Sequence, residues 1–510
     1  MLNDSKLDNK RVAKNTIVLY LRTIITLCIS LYTSRAILNI LGVEDYGIYN
    51  VVGGFVMMFS LISSTLVSAT QRYLNYELGS IKDNRSTEVF NAAFVIHAGL
   101  CVILFVLFET IGLWFLNSEL NIPKERVQAA NWVYQLSIIT FIVGIMRAPF
   151  DASIIAHERM KTFAYANILE ALLKLVIVFS LLLPFSIDGL VQYSFLMFCV
   201  SILICLIYVS YCIKEFKEIK FVGFVEHSYY KNMLSFAGYN FIGATSVVFA
   251  QQGVNMLLNI YFGVAVNAAR GVTDQVQHSI TKFVNDFTTA INPQITKSYA
   301  QSNIINMMNL IYKGTKISYL LFLFFAVPII IETPLILKLW LGVVPDYAII
   351  FVRLSLIDAL LNTLAGPIST GAMATGDIKR MSIWIGIVRF SVFPFSYLLF
   401  KFGAEPFYAY IILILSDVVL FFIRLIIACG LIKVKKYPYI QNVIFKIAPV
   451  TLIVFIIAYL LNIIINVENF VSLVIYSIII CLITMTSSLI LAFNSKERDT
   501  ILSLLKLRKL

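Results

Sequence analysis

Long uninterrupted runs of apolar residues recur along the whole chain and predict a membrane protein built from helices. A membrane-spanning helix needs about 20 mostly apolar residues, and the runs at 447–465 and 470–493 reach this length. Strands of a membrane barrel would instead alternate apolar and polar residues over segments of about ten. We therefore expect an all-α polytopic membrane protein with about 14 transmembrane helices, at residues 15–41, 47–70, 89–116, 128–146, 162–184, 189–213, 233–261, 265–295, 317–337, 347–372, 381–400, 406–431, 447–465 and 470–493.

The composition supports the same class. Of the 510 residues, 59% are hydrophobic and only 13% are charged, whereas a soluble domain carries about 25% charged residues. So few charges cannot cover a water-exposed surface. The composition therefore argues against a soluble enzyme, a nucleic-acid-binding protein and a disordered scaffold.

The distribution of basic residues predicts the orientation of the chain. Loops on the cytoplasmic side of a membrane carry an excess of Lys and Arg. With 14 spans, 28 Lys and Arg residues fall on the side shared by both termini and four fall on the other side. Both termini are therefore expected in the cytoplasm, and this bias accounts for the net charge of +12 without a nucleic-acid partner.

Two halves of the chain resemble each other. The segment 38–43 matches 258–264, and the segment 148–161 matches 366–379, at offsets of 221 and 218 residues. Near-equal offsets predict a duplicated six-helix unit. The expected parts are an N-terminal lobe at 1–214, a cytoplasmic linker at 215–231, a second lobe at 232–432, and two extra transmembrane helices with a basic tail at 433–510.

The eighth predicted span is the most polar. Its ionisable residues recur every four positions, as Arg270, Asp274, His278, Lys282 and Asp286. Charges at the centre of a bilayer cost about 2.5–3.5 kcal/mol each on insertion scales, so this helix must face protein or water. The spacing is compatible with a ladder of ion pairs, and equally with a cationic contact for an anionic substrate at Arg270.

Other predicted spans also contain ionisable residues. The first span carries Arg22 and Arg35, and the fifth carries Glu170 and Lys174 one helical turn apart. We take Arg35, Arg270, Arg22 and Lys282 as candidate substrate contacts. Candidates for ion coupling or for structural ion pairs are Asp274, His278, Asp286, Glu170 and Lys174. Asp417 with Arg424, and Arg353 with Asp358, are interpreted as structural pairs.

Sequence motifs for catalysis or metal binding are not found. The seven cysteines lie in apolar runs without a C-x-x-C pair, and the four histidines lack the spacing of metal ligands. The chain contains no phosphate-binding glycine loop. We expect no enzyme activity, no cofactor, no metal site and no nucleotide.

Several segments resemble one family. The segment Leu41-Gly42-Val43-Glu44-Asp45-Tyr46-Gly47-Ile48-Tyr49-Asn50 is followed by Gln71-Arg72-Tyr73, by residues 147–151 and by residues 156–161. Together they are similar to the Wzx-type flippases that export O-antigen and capsule units. These belong to the multidrug/oligosaccharidyl-lipid/polysaccharide (MOP) exporter superfamily.

The resemblance implies a fold and a function. The implied fold is two six-helix lobes in a MATE-like V around a central cavity, plus two C-terminal helices, in the bacterial inner membrane. The implied substrate is an oligosaccharide on undecaprenyl pyrophosphate, moved from the cytoplasmic to the periplasmic leaflet by ion-coupled alternating access. The implied partners are this lipid-linked substrate, membrane lipids and a polysaccharide polymerase.

Two alternatives stay open within the same superfamily. Multidrug exporters typically bind cations and carry an acidic residue in the first helix, whereas the first span here holds Arg22 and Arg35 and no acid. A flippase for the peptidoglycan precursor lipid II would share the fold and a cationic cavity.

The topology is testable by labelling single cysteines with a membrane-impermeant thiol reagent, after the native cysteines are removed. Cysteines near Glu44, Ser118, Asp188 and Glu468 should be labelled from the periplasm. Those near Lys82, Lys220 and Lys435 should be protected in intact cells. Labelling at position 435 from outside would contradict the 14-span topology.

Overall fold

The computed structural model describes residues 2–57, 59–80, 85–118, 123–182, 188–465, 467–495 and 497–498. Within these ranges the regular structure is helical throughout, which confirms the all-α fold class. Three predicted features lie outside the described residues: the side chain of Arg35, the loop position Lys82 and the basic tail beyond residue 498.

The described part of the chain contains 15 helices. They are α1 (Leu2–Met57), α2 (Ser60–Gly79), α3 (Ser86–Ser118), α4 (Lys124–Ala156), α5 (Met160–Ser180), α6 (Gly189–Glu215), α7 (His227–Phe262), α8 (Val264–Ala300), α9 (Ile304–Ile331), α10 (Thr333–Leu341), α11 (Ala348–Thr375), α12 (Lys379–Lys401), α13 (Tyr408–Ile432), α14 (Tyr437–Ile465) and α15 (Phe470–Ala492).

Eleven of these helices are long and apolar enough to cross a membrane within the ranges that the structure describes. The chain is therefore a multi-pass membrane protein, although the count of 14 is not confirmed. The three remaining predicted spans fall on α1, α2 and α8, which are helical in the described residues but are not among these eleven. Helix α8 is too polar to be among them because many of its side chains are ionisable groups or amides.

The ninth predicted span, 317–337, is shifted along the chain from helix α9. Helix α9 begins at Ile304, because the side chain of Asn303 caps it by accepting a hydrogen bond from the backbone N–H of Asn306 at 3.0 Å. It ends at Ile331, and the separate helix α10 begins at Thr333 with Pro334 in its first turn. An apolar run does not show such a break, since both helices are hydrophobic.

The chain divides into two compact units, residues 15–241 and residues 242–510 with residues 1–14. The boundary falls within α7. In the first unit, α4 packs against α2, α3 and α6, and Phe90, Phe94 and Phe150 form an aromatic cluster in one of its cores. A second core surrounds Tyr134, whose hydroxyl donates to the carbonyl of Phe108 at 2.8 Å.

In the second unit, the last two helices are attached to α9 and α11 by polar contacts as well as apolar ones. The hydroxyls of Tyr319 and Thr451 are 3.1 Å apart, and buried Tyr439 donates to the carbonyl of Leu364 at 2.6 Å. Beyond α15, Glu497 forms an ion pair with buried Lys316 at 2.7 Å. These bonds join α14 and α15 to the helical unit before them.

The backbone breaks at the same places in the two segments that resemble each other. Gly42 has φ 79° and ψ 170°, and Gly263 has φ 80° and ψ −176°. This is a conformation that only glycine adopts easily. The second pair of segments also breaks alike, at Glu158 (φ 57°) between α4 and α5 and at Gly376 (φ 86°) between α11 and α12. The matching breaks support the duplication.

The segment after α6 lies against the first unit. Asn91 of α3 donates to the carbonyl of Lys220 at 2.8 Å and accepts from the N–H of Val222 at 3.0 Å. Glu218 forms an ion pair with His157, whose ring stacks on Phe216 with centroids 4.1 Å apart. Burial alone would raise the pKa of Glu218, but the hydrogen bond with His157, a backbone hydrogen bond and the charge of His157 together outweigh burial, so the pKa lies below its usual value.

Gly263 provides a test of these breaks. Gly263→Ala should destabilise the protein by about 1–3 kcal/mol, because alanine is strained at this φ and ψ although its Cβ would meet no atom within 4 Å. Gly271→Ala is the matched control, since Gly271 lies inside α8 with equally open space, and there alanine is favoured by up to about 1 kcal/mol. Thermal and denaturant unfolding in detergent measures both, and equal stability of the two variants would contradict the strain.

Candidate functional site

Four charged side chains form a network in the first unit. Glu170 and Lys174 of α5 are paired at 2.7 Å. Arg147 of α4 reaches Glu170 at 3.5 Å and Asp151 at 3.3 Å. The formal charges cancel, which lowers the cost of placing them among transmembrane helices. The guanidinium of Arg147 also lies 5.2 Å from the ring centre of Tyr208.

The sequence predicts only two members of this network, Glu170 and Lys174. The predicted spans 128–146 and 162–184 leave Arg147 in the cytoplasmic turn between them. The missing signal was the spacing of Arg147 and Asp151, which lie four residues apart in one helix and therefore on one face.

A cavity of about 640 Å³ lies beside this network and is lined by α1, α2, α4, α5 and α6. Lys174 contributes to its wall, together with apolar and aromatic groups. The rest of its polar lining consists of hydroxyl side chains, from Tyr49, Ser60, Ser63, Ser64, Ser137, Thr140 and Ser194. Such a lining offers neutral hydrogen-bonding groups and one cation that Glu170 already balances.

The structure describes the side chain of only one of the two arginines in the first predicted span. Arg22 lies over the ring of Phe163, 5.4 Å from its centre, and donates to the hydroxyl of Thr23 at 3.2 Å. The side chain of Arg35 lies outside the described residues. The proposed substrate contacts of both residues remain predictions.

Arg270 of α8 is packed inside the second unit. Only 7% of its side chain is exposed, and its Nη2 donates to the carbonyl of Gln251 at 2.8 Å. Its Nε lies 3.8 Å from Asp274, and its Nη1 is buried without a hydrogen-bond partner. The guanidinium thus has one donor nitrogen available for a further acceptor.

The five ionisable residues of α8 do not share one surface. Each step of four residues rotates a helix by about 40° beyond a full turn, so Arg270 and Asp286 point about 160° apart. Accordingly Arg270 and Asp286 are buried, whereas His278 and Lys282 are exposed. Helix α8 therefore carries its ionisable residues on different faces and not in a single row along the helix.

A second charged cluster lies among α11, α12 and α13. Arg389 forms a short ion pair with Asp417 and donates to the hydroxyl of Ser416 at 3.0 Å. The side chains of this pair are only 6% and 2% exposed. The carboxyl group of Asp358 lies against that of Asp417, and Arg424 donates to the side-chain oxygen of Asn362 at 3.3 Å.

The structure corrects both pairings expected in this region. Asp417 is paired with Arg389 of the neighbouring helix rather than with Arg424, which lies two turns away in its own helix. Arg353 does not pair with Asp358 but donates to the carbonyls of Ile330 and Ile331, at 2.9 and 3.2 Å. These carbonyls are at the end of α9, where they lack partners within the helix.

A smaller cavity of about 250 Å³ lies in the second unit between α8, α9 and α11. Its lining contains no charged side chain. The polar residues that line it are Gln277, Thr281, Asn285, Thr288, Asn292, Ser318, Asn362, Thr363 and Thr370. The charged positions of α8 do not predict this cavity, because its polar lining residues continue the face of Arg270 and Asp274 toward the end of the helix and are uncharged amides and hydroxyls.

Metal ligands do not converge in the part of the chain that is described. No group of three or more His, Cys, Asp or Glu side chains there could hold a metal ion, and the seven cysteines are free thiols.

A comparison with protein families identifies the chain. The model of the family described as "polysaccharide biosynthesis protein" matches residues 12–299, which is more than half of the sequence. The chain belongs to this family. The match confirms the resemblance drawn from the segments near Gly42 and Arg147, and it extends from α1 to the end of α8.

Solved structures show the fold of this polysaccharide biosynthesis protein. A multidrug resistance MATE transporter of the MOP superfamily, in its outward-facing conformation, matches with a TM-score of 0.72 and 13% identity, over 84% of this chain and 96% of that chain. A MATE protein in the bent conformation matches with a TM-score of 0.72 and 12% identity, over 84% of this chain and 97% of that chain.

A third structure has the same fold but another described property. It is a MOP superfamily transporter from Pyrococcus furiosus, for which the reverse polarity of the binding pocket suggests a different function. Its TM-score is 0.67 at 12% identity, over 84% of this chain and 96% of that chain. No curated protein sequence matches this chain. At this level of identity the matched structures establish the fold, which is MATE-like.

The pair Arg389–Asp417 yields a prediction about stability. Arg389→Leu should cost about 3–5 kcal/mol, because it leaves a buried carboxylate without its partner. Lys174→Leu is the control, since the Lys174 side chain is 40% exposed and its pair with Glu170 should contribute about 1 kcal/mol or less.

Unfolding of both variants in detergent measures the difference. The double variant Arg389→Leu/Asp417→Leu should recover most of the loss, because no unpaired charge of that pair is left. An Arg389→Leu variant as stable as Lys174→Leu would show that the pair does not carry this part of the fold.

Proposed function

We propose that this protein is a flippase that moves lipid-linked oligosaccharide across the bacterial inner membrane. The substrate is a polysaccharide repeat unit, of O-antigen or capsule, on undecaprenyl pyrophosphate. The protein carries it from the cytoplasmic to the periplasmic leaflet by ion-coupled alternating access, with both termini in the cytoplasm. A polysaccharide polymerase then acts on the exported unit.

The observation that carries this proposal is the family match over residues 12–299. Two features of the structure support it. Both units contain a cavity lined by hydroxyl or amide groups among apolar helices, and such groups suit a sugar better than a hydrophobic drug. The first predicted span carries Arg22 and Arg35 and no acid, which favours an anionic substrate over the cations of multidrug exporters.

The charged residues receive separate roles in this proposal. Arg35, Arg270, Arg22 and Lys282 bind the pyrophosphate or acidic sugars, since Arg matches the geometry of phosphate oxygens. Arg270 is the best supported of them, because its buried Nη1 has no hydrogen-bond partner among the residues that the structure describes. Asp274, His278, Asp286, Glu170 and Lys174 are assigned to ion coupling or to balancing these cations.

Export is tested in a host whose own copy of this gene is deleted. The deletion should leave lipid-linked oligosaccharide on the cytoplasmic leaflet and remove surface polysaccharide, and the intact chain should restore both. Arg270→Ala should reduce export about tenfold or more at normal protein level, because a charge-assisted hydrogen bond contributes about 1.5–3 kcal/mol. Arg270→Lys should restore it only in part.

The matched control is the double variant Arg270→Ala/Asp274→Asn. If Arg270 binds the substrate, this double variant should be as inactive as Arg270→Ala. Full export by Arg270→Ala, or full recovery in the double variant, would leave Arg270 with only the role of balancing Asp274. A deletion that leaves the oligosaccharide on the periplasmic leaflet would contradict the flippase itself.

A further inference from the structure

The cavity between α8, α9 and α11 is polar without being charged. Its residues from α8 recur at 277, 281, 284, 285, 288 and 292, which is the spacing of one helix face. Four of its lining side chains are amides, Gln277, Asn285, Asn292 and Asn362. Amides at the depth of a transmembrane helix are costly unless they are hydrogen-bonded, so their gathering around one cavity calls for a physical reason.

The side-chain oxygens of three of the four amides are held by neighbouring side chains. The side-chain oxygen of Gln277 accepts from Ser355 at 2.8 Å, and that of Asn292 accepts from Thr370 at 3.1 Å. The oxygen of Asn362 accepts from the guanidinium of Arg424 at 3.3 Å, and a guanidinium is only a donor. With these oxygens engaged, each amide keeps its NH₂ group, with two N–H donors, for a ligand.

Ser318 gives a second, independent indication of a ligand. Its side chain lines the same cavity and is 1% exposed, yet its hydroxyl oxygen has no hydrogen-bond partner. A buried hydroxyl without a partner has lost its hydrogen bond to water and gained none in return, which destabilises the fold. The cost is removed when a molecule in the cavity supplies the missing partner.

We propose that this cavity binds one neutral sugar ring of the transported oligosaccharide. The inference rests on the proposed function and adds the place and the chemical class of the recognised group. The hydroxyl, ring and acetamido oxygens of a sugar accept hydrogen bonds from the amide NH₂ groups and from Ser318. The carbon face of the ring packs on the apolar part of the lining, which includes Val284, Ala359 and Pro367.

Size and charge restrict the ligand further. At about 250 Å³ the cavity is smaller than the roughly 300–1,000 Å³ of pockets for drug-sized molecules, so it holds one ring and not a whole repeat unit. The absence of a cation in the lining excludes the pyrophosphate and disfavours acidic sugars. A metal cation would need free oxygen ligands, whereas three amide oxygens are already hydrogen-bonded.

Binding is measured by saturation-transfer NMR on the full chain, purified in the sugar-free detergent lauryldimethylamine oxide. The probes are the methyl glycosides of glucose, galactose and N-acetylglucosamine, with glucuronate and sodium chloride as competitors. At least one neutral glycoside should bind saturably, and neither glucuronate nor sodium chloride should displace it.

Two variants and one control locate the site. Ser318→Ala removes only an unpartnered hydroxyl, so it should not destabilise the protein, yet it should weaken the glycoside about two- to tenfold, the effect of one neutral hydrogen bond. Gln277→Leu should weaken it at least as much. Ser279→Ala is the control, because Ser279 lies on the same helix, is exposed, and bonds only to the carbonyl of Gln275; its affinity should equal that of the wild type.

The outcomes separate this inference from the proposed function. No binding of any of the three glycosides, displacement by sodium chloride, or unchanged affinity in Ser318→Ala and Gln277→Leu would overturn the sugar site, even if the chain restores export in the deletion host. Binding that both variants weaken would support the site. The sugar site would be supported even if the chain failed to restore export. In that case only the proposed function would be contradicted.

Discussion

A polar group that lies among membrane helices must have a partner, because no water is available there to replace a missing hydrogen bond. This constraint explains most of the long-range polar contacts in both units. Arg389 is buried with Asp417, Arg353 closes the end of α9, and the hydroxyl of Tyr134 binds a carbonyl at the π-helical turn of α3. Helices that look uniformly apolar in sequence are thus positioned by a small number of polar contacts between them.

The two units meet the constraint in different ways. In the first unit, two bases and two acids of α4 and α5 neutralise one another beside a hydroxyl-lined cavity. In the second unit, Arg389 of α12 and Asp417 of α13 are buried as a pair, and the polar part of the cavity lining consists of amides and hydroxyls. Asn362 lies between the charged cluster and the cavity. Its side-chain oxygen accepts from Arg424, and the rest of its side chain lines the cavity. Arg424 therefore acts on the cavity through the orientation of an amide rather than through its charge.

Local patterns in the sequence were sufficient for the all-α class and for the glycine breaks, but not for the break between α9 and α10 or for the partners of the charged residues. The match of 38–43 with 258–264 pointed to two equivalent positions, and the structure has glycine in the same rare conformation at both. Asp417 was assigned a partner seven residues away in its own helix, whereas its actual partner, Arg389, lies in the preceding helix. Pairing between helices depends on how they rotate against each other, which apolar periodicity does not determine. Ser318 gave no signal at all, because a serine in an apolar run is ordinarily bonded to its own helix.

The segment that first suggested the family has a structural role that separates fold from substrate choice. Gly42 breaks α1, and three residues later Asp45 accepts from Arg126 at 2.8 Å, while Arg126 also binds Asp188 at the start of α6. Burial opposes ionisation of Asp188, but Arg126 and the backbone N–H groups of α6 lower its pKa below the usual value, so this junction stays charged at neutral pH. Tyr49 then packs edge-on against Tyr193, with ring centres 4.9 Å apart. These residues join the break in α1 to the starts of α4 and α6 within one unit. This structural role does not depend on the identity of a substrate. Under the proposed function, we place discrimination between sugars in side chains that line the cavities, such as Gln277 and Ser318, where a substitution should change the ligand without disturbing the helix junctions.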